Sequence, residues 1–153
     1  MLKLSKKMLY AIEAVLDIAY HAGTAPVQSS EITRRQGIPK RYLEQALQHL
    51  VRSEILIGVR GPRGGYRLAR ERRRITVGEI VQIIDEVETS DGGKSVLQCD
   101  ESDLCKKVVR PLMSKLRQDI LSELNKTTID DLCENAQKAS IDSEGRETLD
   151  FII

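Results

Sequence analysis

The fold is decided by one stretch, Gly58-Val-Arg-Gly-Pro-Arg-Gly-Gly-Tyr-Arg-Leu-Ala-Arg70, in which turn residues separate two short runs of alternating apolar residues. The turn residues are Gly61, Pro62, Gly64 and Gly65. The flanking runs have the period-two alternation of half-buried strands, with apolar positions at Ile55, Ile57, Val59, Tyr66 and Leu68. The stretch therefore predicts a β-hairpin.

Four arginines line this predicted hairpin, namely Arg60, Arg63, Arg67 and Arg70. Arginine suits bidentate contacts with phosphate or guanine, and it reaches into narrow minor grooves. A tip with arginines and no apolar side to bury favours an acidic partner. The alternative is a solvated, charged hairpin with no partner, and the neighbouring sequence decides between the two.

Three helices are predicted before the hairpin. Apolar residues at three- and four-residue steps predict the first helix from about Ser5, its cap, to Tyr20. A second, short helix starts at Ser29 or Ser30 and ends at Gly37. The third helix runs from Pro39 to Ser53.

Two short helices with a tight turn between them, followed at once by a hairpin, have the order of a winged helix-turn-helix. The predicted fold class is thus mainly α with a small β-hairpin: a DNA-binding domain with the hairpin as wing, plus a long dimerisation helix. The third helix is the predicted recognition helix, whose N-terminal residues meet base edges. The predicted DNA contacts are Ser29, Lys40, Arg41, Tyr42, Glu44, Gln45, His49, Arg60 and Arg63.

The second half of the chain predicts a fourth helix, a loop and a dimerisation helix. Thr76-Val-Gly-Glu79 is a capping box that opens a helix towards Val87. A long helix from Leu104 or Pro111 to Asn125 carries a wide apolar stripe, which a two-fold helical seam would bury, and Thr128 caps a short helix after it. The predicted divisions are 1–87, DNA-binding domain; 88–103, cysteine-bearing sensor loop; 104–136, dimerisation helix and short helix; and 137–153, C-terminal tail.

The charge is divided along the chain. The 153 residues have a net charge of +1, but residues 1–75 hold 15 Lys and Arg against 6 Asp and Glu, whereas residues 76–153 hold 9 against 17. A basic half beside an acidic half is typical of a nucleic-acid reader joined to an assembly or sensing module. Neither a signal peptide nor a membrane span is indicated, so we expect a cytoplasmic protein.

Two other functions compete with DNA binding. A winged helix can hold a protein partner without regulated DNA binding, and a steep salt dependence of binding to duplex DNA would distinguish the two. A metal-dependent enzyme would need an open metal site and acid-base residues. The sequence has no phosphate loop, nucleophile elbow or carboxylate pair with a basic partner, so we expect no enzyme.

Four motifs together resemble the Rrf-two family of bacterial winged-helix regulators. They are Leu4-Ser-Lys-Lys-Met-Leu-Tyr10-Ala, Gln36-Gly-Ile-Pro39 followed by Tyr42-Leu-Glu-Gln45, Val59-Arg-Gly-Pro-Arg-Gly-Gly-Tyr66, and Ile75-Thr-Val-Gly-Glu-Ile80. The resemblance implies a homodimer joined through the long helix and an operator with approximate two-fold symmetry. We expect the regulator to act as a repressor. It implies base reading by Arg41 and Glu44 and a minor-groove contact by Arg60. A partner enzyme of cysteine metabolism is a further expectation.

Cys99 and Cys105 occupy the place where family members with an iron–sulfur cluster carry three cysteines, and Val108 stands where such a member has histidine. Three alternatives stay open for this pair: a 2Fe–2S cluster completed by non-cysteine ligands, a thiol–disulfide switch, and plain structural cysteines. Each of the first two makes DNA binding respond to iron–sulfur, redox or cysteine status. Cys133 lies on an apolar helical face and is expected in the core.

Overall fold

The computed structural model describes residues 4–90 and 102–145. Its described part contains six α-helices and one two-stranded antiparallel sheet. In chain order these are α1 (Lys6–Tyr20), α2 (Ser29–Gln36), α3 (Lys40–Arg52), β1 (Leu56–Val59), β2 (Gly65–Leu68), α4 (Val77–Ser90), α5 (Arg110–Asn125) and α6 (Ile129–Lys138). The mainly helical winged helix-turn-helix prediction is confirmed.

The first three helices are set by local signals. The Ser5 hydroxyl accepts a hydrogen bond from the Met8 backbone N–H and caps α1 as predicted. Gly37 has a φ of 66°, the left-handed conformation in which glycine ends a helix at no steric cost. As predicted, α2 begins at Ser29, and the residue before it, Gln28, is its cap and forms a capping box with Glu31.

The hairpin is held by the pairing of its strands and by contacts with the loop before α2. Leu56 pairs with Leu68 and Val59 pairs with Gly65. A second pair of hydrogen bonds joins Val27, in the loop before α2, to Tyr66: the Val27 N–H donates to the Tyr66 carbonyl at 3.0 Å, and the Tyr66 N–H donates back at 2.8 Å. A Cβ on Gly65 would lie 2.4 Å from the Val27 carbonyl oxygen, so this close approach requires glycine.

The predicted alternation on the first strand is wrong in phase. Ile55 and Leu56 are both buried, whereas Ile57 and Val59 are exposed. The Ile55 N–H donates a hydrogen bond to the Leu50 carbonyl of α3. Because this bond holds the chain against α3, two consecutive residues, Ile55 and Leu56, are buried before the strand turns outward. The exposed Ile57 and Val59 therefore belong to the outer surface of the hairpin.

The fourth helix continues beyond its predicted end. The Thr76 hydroxyl and the Glu79 carboxylate form the predicted capping box. Residues 88–90 were expected in a loop but are helical, because Glu88 is held by a hydrogen bond from Ser5 at 2.6 Å. Contact with the start of α1 thus extends α4 by nearly one turn.

The long helix begins before Pro111. Ser102 accepts a hydrogen bond from the Cys105 N–H, and helical backbone then continues into α5. Residues Cys105–Val109 form a π-helical turn directly before α5. Proline lacks the N–H and its ring clashes with the carbonyl four residues earlier, so a widened turn lets the helix pass through Pro111 without breaking.

One apolar core joins the two halves of the described chain. It includes Met8, Ile18 and Leu47 from the first helices, Ile80 from α4, and Ile129 and Cys133 from α6. The predicted division of the chain after residues 87 and 103 stays a prediction. In the structure, α6 packs in the same apolar core as the helix-turn-helix. Across the described residues, no helix combines the length and apolar character that crossing a bilayer requires.

Candidate nucleic-acid interface

The outer face of α3 carries the predicted base-reading residues. Lys40, Arg41, Glu44 and Gln45 are all exposed, opposite the buried side of the helix, which is formed by Leu43, Ala46, Leu47 and Leu50. Lys40 and Glu44 are 3.9 Å apart, a distance typical of weak surface ion pairs, so both side chains can turn towards a ligand.

Sequence reasoning missed two residues of this face. Gln48 and Arg52 are exposed and follow Arg41 and Gln45 at helical spacing. The 3.6-residue period contains the signal that identifies them, because each lies about two helical turns after a predicted contact. Together these side chains extend the polar face along most of α3.

Two predicted contacts lie on a different side of α3. Tyr42 stacks near Tyr10 of α1, with ring centroids 6.1 Å apart. Tyr42 and His49 also line a groove with Lys7 and Glu88, between α1, α3 and α4. The assignment of Tyr42 and His49 to DNA stays a prediction, and their position favours a helix-packing role for the aromatic ring of Tyr42.

The four hairpin arginines divide into two pairs. Arg60 and Arg63 at the tip are exposed and make no hydrogen bond or ion pair with any residue that the structure describes. Arg67 donates to the Thr24 carbonyl at 2.8 Å, and Arg70 pairs with Glu79 at 3.3 Å. Of the four, only the tip pair makes no hydrogen bond or ion pair with the described residues, and the expectation that all four arginines line the projection stays a prediction.

The wing, α2 and α3 surround one open cleft. Ser29, at the first position of α2, lines this cleft together with Arg60 of the wing and Val51 of α3. Backbone N–H groups at a helix N-terminus attract anions, and arginine complements phosphate. The structure thus brings Ser29 and Arg60 to the same surface, although they are 31 positions apart in the sequence.

A second surface lies on α5 and the turns before it. Its exposed apolar residues repeat every four positions, at Leu104, Val108, Leu112, Leu116 and Ile120. Leu121 and Leu124, which the sequence placed in the same stripe, instead pack against the core. A continuous row of large exposed apolar side chains on one helix is typical of a protein interface.

The cysteines have different environments. Cys105 is disulfide-bonded, and Cys99 lies outside the described residues. Cys133 is a free, buried thiol in the core, as predicted, and burial raises the pKa of this thiol. Within 4–90 and 102–145, no group of three His, Cys, Asp or Glu side chains is placed to hold a metal ion.

These described residues alone do not fit an iron–sulfur cluster. A 2Fe–2S cluster takes four protein ligands, and its only described candidate ligand, Cys105, has its sulfur in a disulfide. The 2Fe–2S site stays a prediction.

Comparison with known proteins identifies relatives along nearly the whole chain. Residues 4–135 match the Rrf2 family, described as "Iron-dependent Transcriptional regulator". The chain is 36% identical over 136 residues to the HTH-type transcriptional regulator IscR of Sodalis glossinidius, covering 89% of this chain and 81% of that protein. It is 32% identical over 151 residues to IscR of Pectobacterium atrosepticum, covering 96% and 91%.

Solved structures of transcriptional regulators have folds similar to that of this chain. The structure of T. potens IscR matches with a TM-score of 0.70 and 33% identity, covering 92% of this chain and 93% of that chain. CymR (YrzC), the global cysteine regulator of B. subtilis, matches with a TM-score of 0.66 and 29% identity, covering 88% and 98%. The prediction of a partner enzyme of cysteine metabolism receives no support from these comparisons.

Proposed function

This chain belongs to the Rrf2 family of DNA-binding transcriptional regulators, which are not enzymes, and from that premise we propose how it binds and responds. It binds, as a cytoplasmic homodimer, an operator with two-fold symmetry and represses the adjacent promoter. Arg41, Glu44 and Gln45 of α3 read bases in the major groove, Arg60 enters the minor groove, and Ser29 and Arg63 contact phosphate.

The observation that carries this proposal is the common exposure of the α3 outer face and the wing tip, together with the cleft in which Ser29 and Arg60 meet Val51 of α3. Arg60 and Arg63 are held out by a hairpin whose second strand is bonded to Val27. Arg60 and Arg63 make no hydrogen bond or ion pair with the described residues, so their guanidinium groups keep their full capacity for phosphate and base edges. Arg67 and Arg70 bond neighbouring parts of the chain and brace the hairpin behind its tip.

Replacing Arg60 with alanine tests this proposal. The probe is a duplex selected by the wild-type chain from a random pool. Arg60→Ala is expected to weaken binding to it about tenfold. It should also reduce the salt slope by about 1.8, because the proposed dimer loses two charges. Fluorescence anisotropy at several salt concentrations measures both. On a template whose promoter overlaps this duplex, the variant should also repress run-off transcription less than the wild type.

Arg73→Ala is the matched control, because Arg73 is also exposed but pairs with Asp130, away from the cleft. It removes the same charge and should leave both the affinity and the slope near wild-type values. Failure of the wild-type chain to bind any duplex at low salt would instead favour a winged helix that holds a protein partner.

We propose further that Cys99 and Cys105 form a thiol–disulfide switch. The disulfide at Cys105 supports this alternative. Two thiols give up two electrons and two protons to form the bond. The O–O bond of hydrogen peroxide accepts them and breaks to give two waters, and an alkyl peroxide gives one water and one alcohol. Because Cys105 stands in the π-helical turn before α5, the change would act at the start of the dimerisation helix.

The double variant Cys99→Ser and Cys105→Ser tests this switch. Operator affinity of the wild type should differ between hydrogen peroxide and dithiothreitol, whereas the double variant should bind equally in both. Cys133→Ser is the control and should still respond to peroxide, because that thiol is buried. Equal affinities for all proteins in both conditions would remove the switch. A visible absorption spectrum of anaerobically purified protein separately tests for the cluster.

A further inference from the structure

The last described segment of the chain returns to the helix-turn-helix. We call residues 141–145 the C-terminal strap. The Ser143 hydroxyl donates to the Tyr20 carbonyl at 2.6 Å, and the Tyr20 hydroxyl bonds the Ile141 carbonyl. Gly145 is buried against the end of α1, where a Cβ would lie 2.3 Å from the Ala22 carbonyl oxygen. The strap thus lies closely on the chain between α1 and α2.

Glu144 connects the strap to α2. Its carboxylate accepts two hydrogen bonds from Arg34, both at 3.0 Å, and one from Arg35 at 2.6 Å. Its backbone N–H donates to His21 Nδ1 at 3.1 Å. Burial, together with the charge of Arg35, lowers the pKa of His21 and so favours the neutral imidazole that can accept this bond.

Arg35 extends this connection to α1. Its Nε and a terminal nitrogen donate to the two oxygens of Asp17 at 2.9 and 2.8 Å, while its other terminal nitrogen bonds Glu144. The side chain of Asp17 is fully buried and also accepts from Gln36 at 2.9 Å. One guanidinium therefore joins α1, α2 and the strap, and the two carboxylates that it bonds, Asp17 and Glu144, are 127 positions apart in the sequence.

Apolar packing alone gives α2 little support. Ile32 is the one buried residue among its eight. The orientation of so short a helix depends on its polar contacts, and the strap contacts lie at its C-terminal end. The predicted phosphate contact, Ser29, lies at the other end, about 9 Å along the axis. Glu144 therefore lies off the predicted DNA surface.

We propose that the C-terminal strap positions α2 for DNA binding, with Glu144 as its positioning residue. The inference rests on the proposed function, because it assumes that α2 and α3 meet the operator together. The strap holds the C-terminal end of α2 through Arg34 and Arg35 and so fixes the angle at which Ser29 and α3 approach the duplex. Sequence-specific affinity needs that angle, whereas attraction to any duplex depends mainly on charge.

The full chain with Glu144→Gln tests the proposal on two duplexes of equal length, one selected by the wild type and one of random sequence. Glu144→Gln is expected to weaken binding to the selected duplex roughly fivefold and to leave the random duplex unchanged. Asp142→Asn is the matched control, because it removes the same charge from an exposed carboxylate of the strap. It should retain wild-type discrimination.

Gly145→Ala provides a second perturbation without a change of charge. Its added methyl group would meet backbone carbonyls of His21 and Ala22, so the strap must lift. The same loss of discrimination is expected. Thermal unfolding of each variant accompanies the binding assays.

Several results overturn the proposal: discrimination by Glu144→Gln equal to that of Asp142→Asn, full discrimination by Gly145→Ala, tighter binding of both duplexes, or equal weakening on both. Tighter binding would mean that Glu144 withholds Arg34 and Arg35 from phosphate. A wild-type chain that cannot discriminate the two duplexes would contradict the proposed function itself, which distinguishes that failure from failure of the strap inference.

Discussion

Replacing Leu116 with lysine is expected to convert the proposed dimer into a monomer and to weaken binding to a duplex with two half-sites by at least about 100-fold. Leu116 is 47% exposed at the centre of the apolar row on α5. A two-fold seam would bring both copies of the residue together, and burying a leucine contributes roughly 1.5–3 kcal/mol. Lysine removes that contribution and places two like charges in the seam.

Sedimentation equilibrium and anisotropy titration measure the two effects of Leu116→Lys. Gln118→Lys is the control: at 100° per residue it lies on the opposite side of the helix, and it is also exposed. It should stay dimeric. Because Leu116 is already half exposed in a single chain, we expect both variants to keep their circular dichroism spectrum. A dimeric Leu116→Lys protein would contradict assembly through this face.

Replacing Arg35 with leucine is expected to lower the free energy of unfolding by about 3–5 kcal/mol. The change removes two hydrogen bonds from the fully buried carboxylate of Asp17 and leaves Gln36 as its remaining described side-chain donor. Because this carboxylate is buried away from water, no solvent hydrogen bond replaces the two that are lost. The cost of removing its charge from water is then no longer offset. Urea unfolding followed by circular dichroism measures the loss.

Arg34→Leu is the matched control for this prediction. Arg34 is the neighbouring residue, bonds the same Glu144 and carries the same charge, but its side chain is 61% exposed. An exposed ion pair contributes roughly 0–1 kcal/mol, so the control should lose no more than that. Similar losses for Arg34→Leu and Arg35→Leu would mean that burial of Asp17 does not determine the effect.

Local chemistry explains which parts of the fold could be predicted. The caps at Ser5, Thr76 and Thr128 and the left-handed Gly37 depend on residues within four positions, so the sequence contains the whole signal. The same holds for the apolar face of α3. The start of α2 at Ser29 follows from the sequence, but its cap, Gln28, does not, because glutamine is not among the preferred capping residues.

Long-range contacts explain most of what could not be predicted. The phase of the first strand depends on how Ile55 bonds α3 and how Tyr66 bonds Val27. Arg67 donates to the carbonyl of Thr24, which lies 43 positions away and belongs to no motif. Arg70 pairs with Glu79, whose capping-box motif predicts a helix start but not this ion pair. In the sequence, each charged residue of the strap contacts has the features of an ordinary surface residue, so nothing marks the pairs as partners.

The attachment of the wing determines which of its positions can change in evolution. Two hydrogen bonds to Val27 and a close approach at Gly65 hold the second strand of the hairpin, whereas Arg60 and Arg63 at the tip make no hydrogen bond or ion pair with the described residues. Mutations at the tip should therefore cost little stability. Operator preference can drift at position 60, the proposed groove contact, over evolutionary time, while the close approach at Gly65 leaves no room for a larger residue.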